Sequence, residues 1–171
     1  GIKTIYLPSH VKKIEEEAFS VCTDLSSFHF PKLGETEIIG KRAFSDSAIK
    51  SIVIPNYVKE IQDSAFFNCY YLRVVEIPFD SELILIGESA FNNCPLVEIF
   101  LPPKIKSIMK NTFVNCTNLC GISFHRYPEL TTIGRNAFSN SLMEELSLPA
   151  KLTELSGKSF ANVPLNVINI S

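Results

Sequence analysis

No strong charge of either sign runs through this 171-residue chain: sixteen basic side chains stand against eighteen acidic ones, a formal net charge of −2. A field of the kind that gathers nucleic acid or coats an anionic membrane is therefore missing, and no nucleic-acid partner is expected. Long apolar runs are missing too. Stretches such as Leu83 to Gly87 or Ile99 to Pro103 fall far short of the roughly eighteen residues of a spanning helix, so no membrane insertion by this segment is expected. Glycine-rich phosphate loops, metalloprotease helices and nucleophile elbows do not occur. The opening residues show no basic start followed by an apolar stretch and a small-residue cleavage site. Because they begin inside a repeating pattern, that lack carries little weight.

What is present is a core's worth of apolar side chains, 46% of the chain, enough for one domain over residues 1–171. Those side chains recur. Phe19, Phe44, Phe66, Phe91, Phe113, Phe138 and Phe160 are separated by gaps that alternate between 25 and 22 residues. Pro8, Pro31, Pro55, Pro78, Pro102 and Pro149 keep a matching register, with His125 where another proline would fall. Gly40, Gly87 and Gly134, each preceded by isoleucine, mark the longer repeat type. The chain is thus built on a double unit of two distinguishable repeats.

Each repeat opens on alternating apolar residues and ends in proline, as in Ile49-Lys50-Ser51-Ile52-Val53-Ile54-Pro55. Alternation with β-branched enrichment predicts a short strand, and proline, which cannot donate the next ladder bond, predicts its end. A second apolar pair follows, such as Val58 and Ile61, then a small residue (Ala18, Ala43, Ala65, Ala90, Thr112, Ala137, Ser159) and the phenylalanine. The small residue leaves room for a tight turn, and the rings are expected to stack as a spine. Seven such units at one strand spacing each span roughly 35 Å. The chain opens on a strand at Gly1-Ile2 and closes on another at Leu165 to Ser171 with no turn after it. Neither end reads as capped, so the chain is expected to be a fragment of a longer protein, able to self-associate through its ends.

The pattern of Leu or Ile, two variable residues, Ile-x-Ile-Pro, Val-x-x-Ile and Ala-Phe-x-x-Cys resembles the BspA-like, or Treponema-type, leucine-rich repeats. Tyr57 through Cys69 shows the second half of it. The resemblance covers essentially the whole chain. It implies a right-handed leucine-rich-repeat solenoid with a parallel β-sheet on the concave side and short turns and irregular or short strand segments on the convex side. Here that means seven repeats plus a terminal partial one, alternating 22 and 25 residues. It also implies a cell-surface or secreted protein, in bacteria or in protists, that adheres to host proteins such as fibronectin or fibrinogen. It carries no catalytic residue, cofactor or metal.

Cys22, Cys69, Cys94 and Cys116 sit three residues after their phenylalanines, where the other repeats have Ser47, Ser141 and Val163. Replacement by serine and valine points to a small buried side chain that fills space or bonds a turn. A disulfide between stacked neighbours such as Cys94 and Cys116 is the alternative, and five cysteines leave one over. A zinc site would need convergent ligands, and only Cys116 and Cys120 are close in sequence, with no histidine nearby. Asn115-Cys116-Thr117 and Asn169-Ile170-Ser171 have the form of glycosylation triplets. His10, His29 and His125 fall at different repeat positions or several repeats apart, so none is expected to meet a serine or cysteine catalytically, and each is expected at the surface.

Function is expected on the strands' outward residues. Because side chains alternate across a strand, these form two stripes, one running through Tyr6, His29, Val53, Glu76 and Phe100 and one through Ser51, Val74 and Glu98. Exposed apolar groups on one continuous sheet mark interaction surfaces. Tyr6, His29, Val53, Val74, Glu76, Glu98 and Phe100 are therefore the candidate partner-binding residues, with Val74, Glu76, Glu98 and Phe100 at the centre. The expected partner is a protein, of the extracellular matrix or a host surface. A structural spacer or self-associating array, and an intracellular scaffold, are the competing readings.

Overall fold

The computed structural model describes residues 1–170 and holds fifteen short strands and no helix among them. Strands of two types alternate along the chain. The first type comprises β1 (Thr4–Tyr6), β3 (Ser27–His29), β5 (Ser51–Val53), β7 (Val74–Glu76), β9 (Glu98–Leu101), β11 (Gly121–Phe124), β13 (Glu145–Leu148) and β15 (Val167–Ile170). The second type comprises β2 (Lys13–Ile14), β4 (Ile38–Ile39), β6 (Glu60–Ile61), β8 (Leu85–Ile86), β10 (Ser107–Ile108), β12 (Thr132–Ile133) and β14 (Glu154–Leu155). Within each type, every pairing is parallel and joins a strand to its counterpart one turn on, so the chain is a parallel β-solenoid of about seven turns. The predicted strand register holds: Thr4 stands beside Ser27, and Val53 beside Glu76.

A third line of backbone bonds runs along the phenylalanines. The amide of Phe44 donates to the Ala65 carbonyl at 2.8 Å, Phe66 to Ala90 at 2.8 Å, Phe91 to Thr112 at 2.9 Å and Phe113 to Ala137 at 2.9 Å. The small residue thus supplies the acceptor for the repeat before it. Flanking each ring are two residues with positive φ, as at Ser64 and Asn68, or Asn111 and Asn115. Asparagine and aspartate tolerate this left-handed conformation better than other side chains. Six of the seven repeats place one of them two residues after the phenylalanine: Asp46, Asn68, Asn93, Asn115, Asn140 and Asn162. Their side chains join in a ladder, each asparagine Nδ2 donating to the Oδ1 of the residue one repeat back over 2.6–3.0 Å. Asn115 of the first glycosylation triplet belongs to it, with its amide engaged on both sides; Ser171 of the second lies outside the described residues.

Inside this frame the rings stack. Phe44, Phe66, Phe91, Phe113 and Phe138 are fully buried, and successive centroids along them lie 5.2–5.6 Å apart with near-parallel planes. Cys69, Cys94 and Cys116 lie beside them as buried free thiols, donating from Sγ to the carbonyls of Phe44, Phe66 and Phe91 at 3.0–3.2 Å. Each thiol therefore fills space and satisfies a turn carbonyl, as the serine and valine replacements suggested. Burial pushes the Cys94 thiol well up and the Cys116 thiol up to about 12. Gly87 sits where a Cβ would come within 2.5 Å of Asp63 Oδ1 and 2.6 Å of Asp63 N, so glycine there allows close approach of backbones.

The first-type ladder is uneven. β1 with β3, β5 with β7, β9 with β11 and β13 with β15 pair along their length. Between these couples, β3 and β5 share a single register pair, while β7 and β9, like β11 and β13, form no ladder. The second-type ladder breaks only between β8 and β10. Length difference explains the rhythm. The loop from Pro31 to Ile38 carries two more residues than that from Pro8 to Lys13, and the same holds after Pro78 and His125. The crossing into β5, β9 or β13 is displaced as a result.

Phe91→Ala should cost about 3–5 kcal/mol, since it removes a fully buried ring between two others; denaturant unfolding measures it. Thiol labelling of the native chain should modify exposed Cys120 and leave Cys69, Cys94 and Cys116 unreacted until it unfolds. Because the folded chain holds the Cys116 proton to about pH 12 while an unfolded thiol loses it near about 8.5, Cys116 should make stability fall as pH rises between those values. In Cys116→Ser that part of the alkaline decline should disappear.

Candidate functional site

Along β5, Ile52 points into the core while Ser51 and Val53 point out; β7 repeats this with Val75 inside and Val74 and Glu76 outside. The alternation gathers the candidate residues on one face. Tyr6, His29, Val53, Val74, Glu76 and Glu98 are exposed. At one end of the face the Tyr6 and His29 rings stack at 4.7 Å and 14°. Val53, Val74, Glu76, Glu98 and Phe100 line one shallow groove of ≈ 450 Å³.

Phe100 departs from expectation. Its ring is half-buried and packed against the core rather than standing in solvent. The cause is Phe79, which follows the Pro78 strand end in a longer loop and stacks on Phe100 at 6.3 Å. Phe79 itself is 65% exposed. It also meets His125 at 4.2 Å, and His125 Nδ1 accepts the Tyr127 amide at 3.1 Å. His125, expected at the surface, is thereby half-buried. Arg126 lies 5.2 Å over the Tyr127 ring. This aromatic rim escaped the sequence reading, although His125 in place of proline and the extra length of alternate repeats both pointed at these loops.

Grooves and gaps in the ladder coincide. The ≈ 450 Å³ groove lies where β7 and β9 are unpaired; the nearest backbone bond, from the Val97 amide to the Arg73 carbonyl, is 3.3 Å long. A second groove of ≈ 460 Å³, with His29, Val53 and Asp80 in its walls, lies over the thin β3–β5 step. A third of ≈ 400 Å³, bounded by Ser123, His125 and Ser147, lies over the open β11–β13 step. A fourth hollow, of ≈ 760 Å³ beside the second-type strands, differs in kind. Its charges answer one another, with Lys59 Nζ 2.6 Å from Glu37 Oε1 and Lys104 paired to Glu82. Among the described residues no three His, Cys, Asp or Glu side chains converge as metal ligands.

Repeat length, the Ala-Phe-x-x-Cys turn and the two parallel ladders decide the family. The pattern described as BspA type leucine rich repeat region matches in six copies, over residues 1–120 and 37–166. The chain belongs to the BspA-type leucine-rich-repeat family. Among solved structures it resembles the pneumococcal vaccine antigen PcpA, with a TM-score of 0.74 and 22% identity, covering 99% of this chain and 40% of that one. The leucine-rich repeat protein of T. pallidum gives 0.61 and 22%, covering 81% and 76%, and one from Bacteroides ovatus gives 0.53 and 24%, covering 97% and 53%. These likenesses show the shared repeat fold. The chain spans about half of the Bacteroides ovatus protein and less of PcpA. No curated protein sequence matches it.

For a BspA-type repeat, a half-buried ring on the strand face is an intermediate case in stability. Phe100→Ala should cost about 1–1.5 kcal/mol, roughly half of a fully buried phenylalanine's transfer energy, and clearly less than Phe91→Ala in the same unfolding measurement. A value near that of Phe91→Ala would place the ring in the core.

Proposed function

We propose that this chain is a non-enzymatic binding module, displayed at a cell surface or secreted, that docks a protein of the extracellular matrix or a host surface on its first-type strand face. One observation carries the reading: exposed Val53 and Val74, with Glu76 and Glu98, line one preformed groove, β5 and β7 being paired along their length and β9 held against them through the bonds of the phenylalanine turns. Exposed apolar groups on a rigid surface cost little to order on binding, so such a face suits docking with small backbone change. Membership of the BspA-type family and likeness to a vaccine antigen support a surface location.

The test is binding of the chain to an immobilised panel of matrix and plasma proteins, with Val53→Lys/Val74→Lys as the comparison. Both valines are exposed, so the variant should keep its circular dichroism and melting curve while its apparent affinity falls about tenfold or more, a change of about 1.4 kcal/mol. Binding that the double variant retains would move the site to another face.

A further inference from the structure

Three features of the strand face share one period. The first-type ladder thins to one register pair or opens at every second step, a shallow groove lies over each such step, and the longer loop beside each groove holds a large apolar side chain in solvent just after the strand end. Those side chains are Leu33, Phe79 and Tyr127, exposed by 87%, 65% and 66%. We propose that this corrugated face docks an extended, proline-rich, basic peptide in the polyproline II conformation, lying along the solenoid and across the strands. The proposal rests on the strand-face reading above and names the class of partner.

The spacing favours that occupant. A paired strand step is about 4.7–4.9 Å, so a paired and an open step together come to at least about 9.4 Å, and a polyproline II helix, with three residues per turn rising 3.1 Å each, repeats every roughly 9.3 Å. Residues i, i+3 and i+6 of such a peptide fall over successive openings. A peptide strand returns to the same side every roughly 6.6–6.8 Å and is out of step by the second groove.

The chemistry agrees with the spacing. Proline-rich segments dock in grooves walled by aromatic and aliphatic side chains, and the central groove offers Val53, Val74 and Phe100, with Phe79 standing over Phe100. A polyproline II backbone needs no ladder partner, unlike a strand added to a sheet edge. Glu76 and Glu98 flank the central groove, and among the described residues neither is ion-paired, whereas Glu37 and Glu82 outside this face are. An arginine or lysine of the peptide is the complementary charge, and arginine suits a carboxylate best.

Fluorescence polarisation with labelled peptides of about twelve residues tests this, since at 3.1 Å per residue they reach across all three grooves. Repeated Pro-Pro-Arg is compared with Gly-Gly-Arg, which keeps charge and loses the helix, with Pro-Pro-Glu, which keeps the helix and reverses charge, and with an arginine-bearing alanine-rich α-helical peptide. Pro-Pro-Arg should bind at least about tenfold more tightly than each of the others. Glu76→Lys/Glu98→Lys should weaken it by about tenfold or more, while Lys110→Glu on the phenylalanine turn leaves it unchanged, with circular dichroism confirming that each variant is folded. Equal binding of Gly-Gly-Arg, preference for the helical peptide, or an indifferent Glu76→Lys/Glu98→Lys chain overturns the proposal. If a matrix or plasma protein binds and Val53→Lys/Val74→Lys abolishes it while no Pro-Pro-Arg complex forms, the proline-rich partner is overturned and the strand-face reading stands. If neither binds, both fall.

Discussion

Stacking of Phe44, Phe66, Phe91, Phe113 and Phe138 is the contact on which the other parts of the solenoid depend. A repeat of 22 or 25 residues has only one apolar edge, and that edge is buried solely by the repeats on either side. The ring column sets the axial step, and the phenylalanine amides, bonded to the small residue of the next repeat, hold the turn at that step. Buried thiols and left-handed asparagines then use the same step to satisfy turn carbonyls and to bond one another. Left-handed backbone is costly at an ordinary side chain; here it recurs twice per turn because the chain must reverse tightly around a large ring.

Against that regular column, the face with the candidate site is irregular in a regular way. The phenylalanine turns accept both repeat lengths without changing their bonding. Of the three additional residues of the longer repeats, two fall in the loop after the strand and one between the phenylalanine and the strand, and the strand ladder absorbs the displacement by thinning or opening at alternate steps. The grooves, and the protruding loop residues Leu33, Phe79 and Tyr127 beside them, therefore occur where pairing is thin or lost. The phenylalanine turns keep the molecule rigid, and the strand face supplies relief.

Much of this was legible in the sequence. Residues of one type at one spacing reveal a stack, so Phe19 to Phe160 gave the repeat, Ile-x-Ile-Pro gave the strands, and period-two alternation placed Val53, Val74, Glu76 and Glu98 outside. Phe100 was misjudged because alternation predicts which side of a strand a residue leaves from, and Phe79, from another repeat, then covered it. The asparagine ladder was missed for a different reason. Its members were visible two residues after six of the seven phenylalanines, but a left-handed φ is a property of backbone geometry that an asparagine permits without requiring. The open ladder steps depend on differences of one or two residues in crossing length, and a list of repeat lengths does not say where a surplus is taken up.

The alternation of long and short repeats also bears on how such a chain can change length. Loss or gain of a single repeat would set two of the same kind side by side and put the open and closed ladder steps out of phase from there onward. Loss or gain of a long–short pair would leave every groove, protruding loop residue and amide rung in its place. Recombination that preserves the surface must therefore work in double units, and proteins that differ by whole pairs can carry longer or shorter versions of the same face.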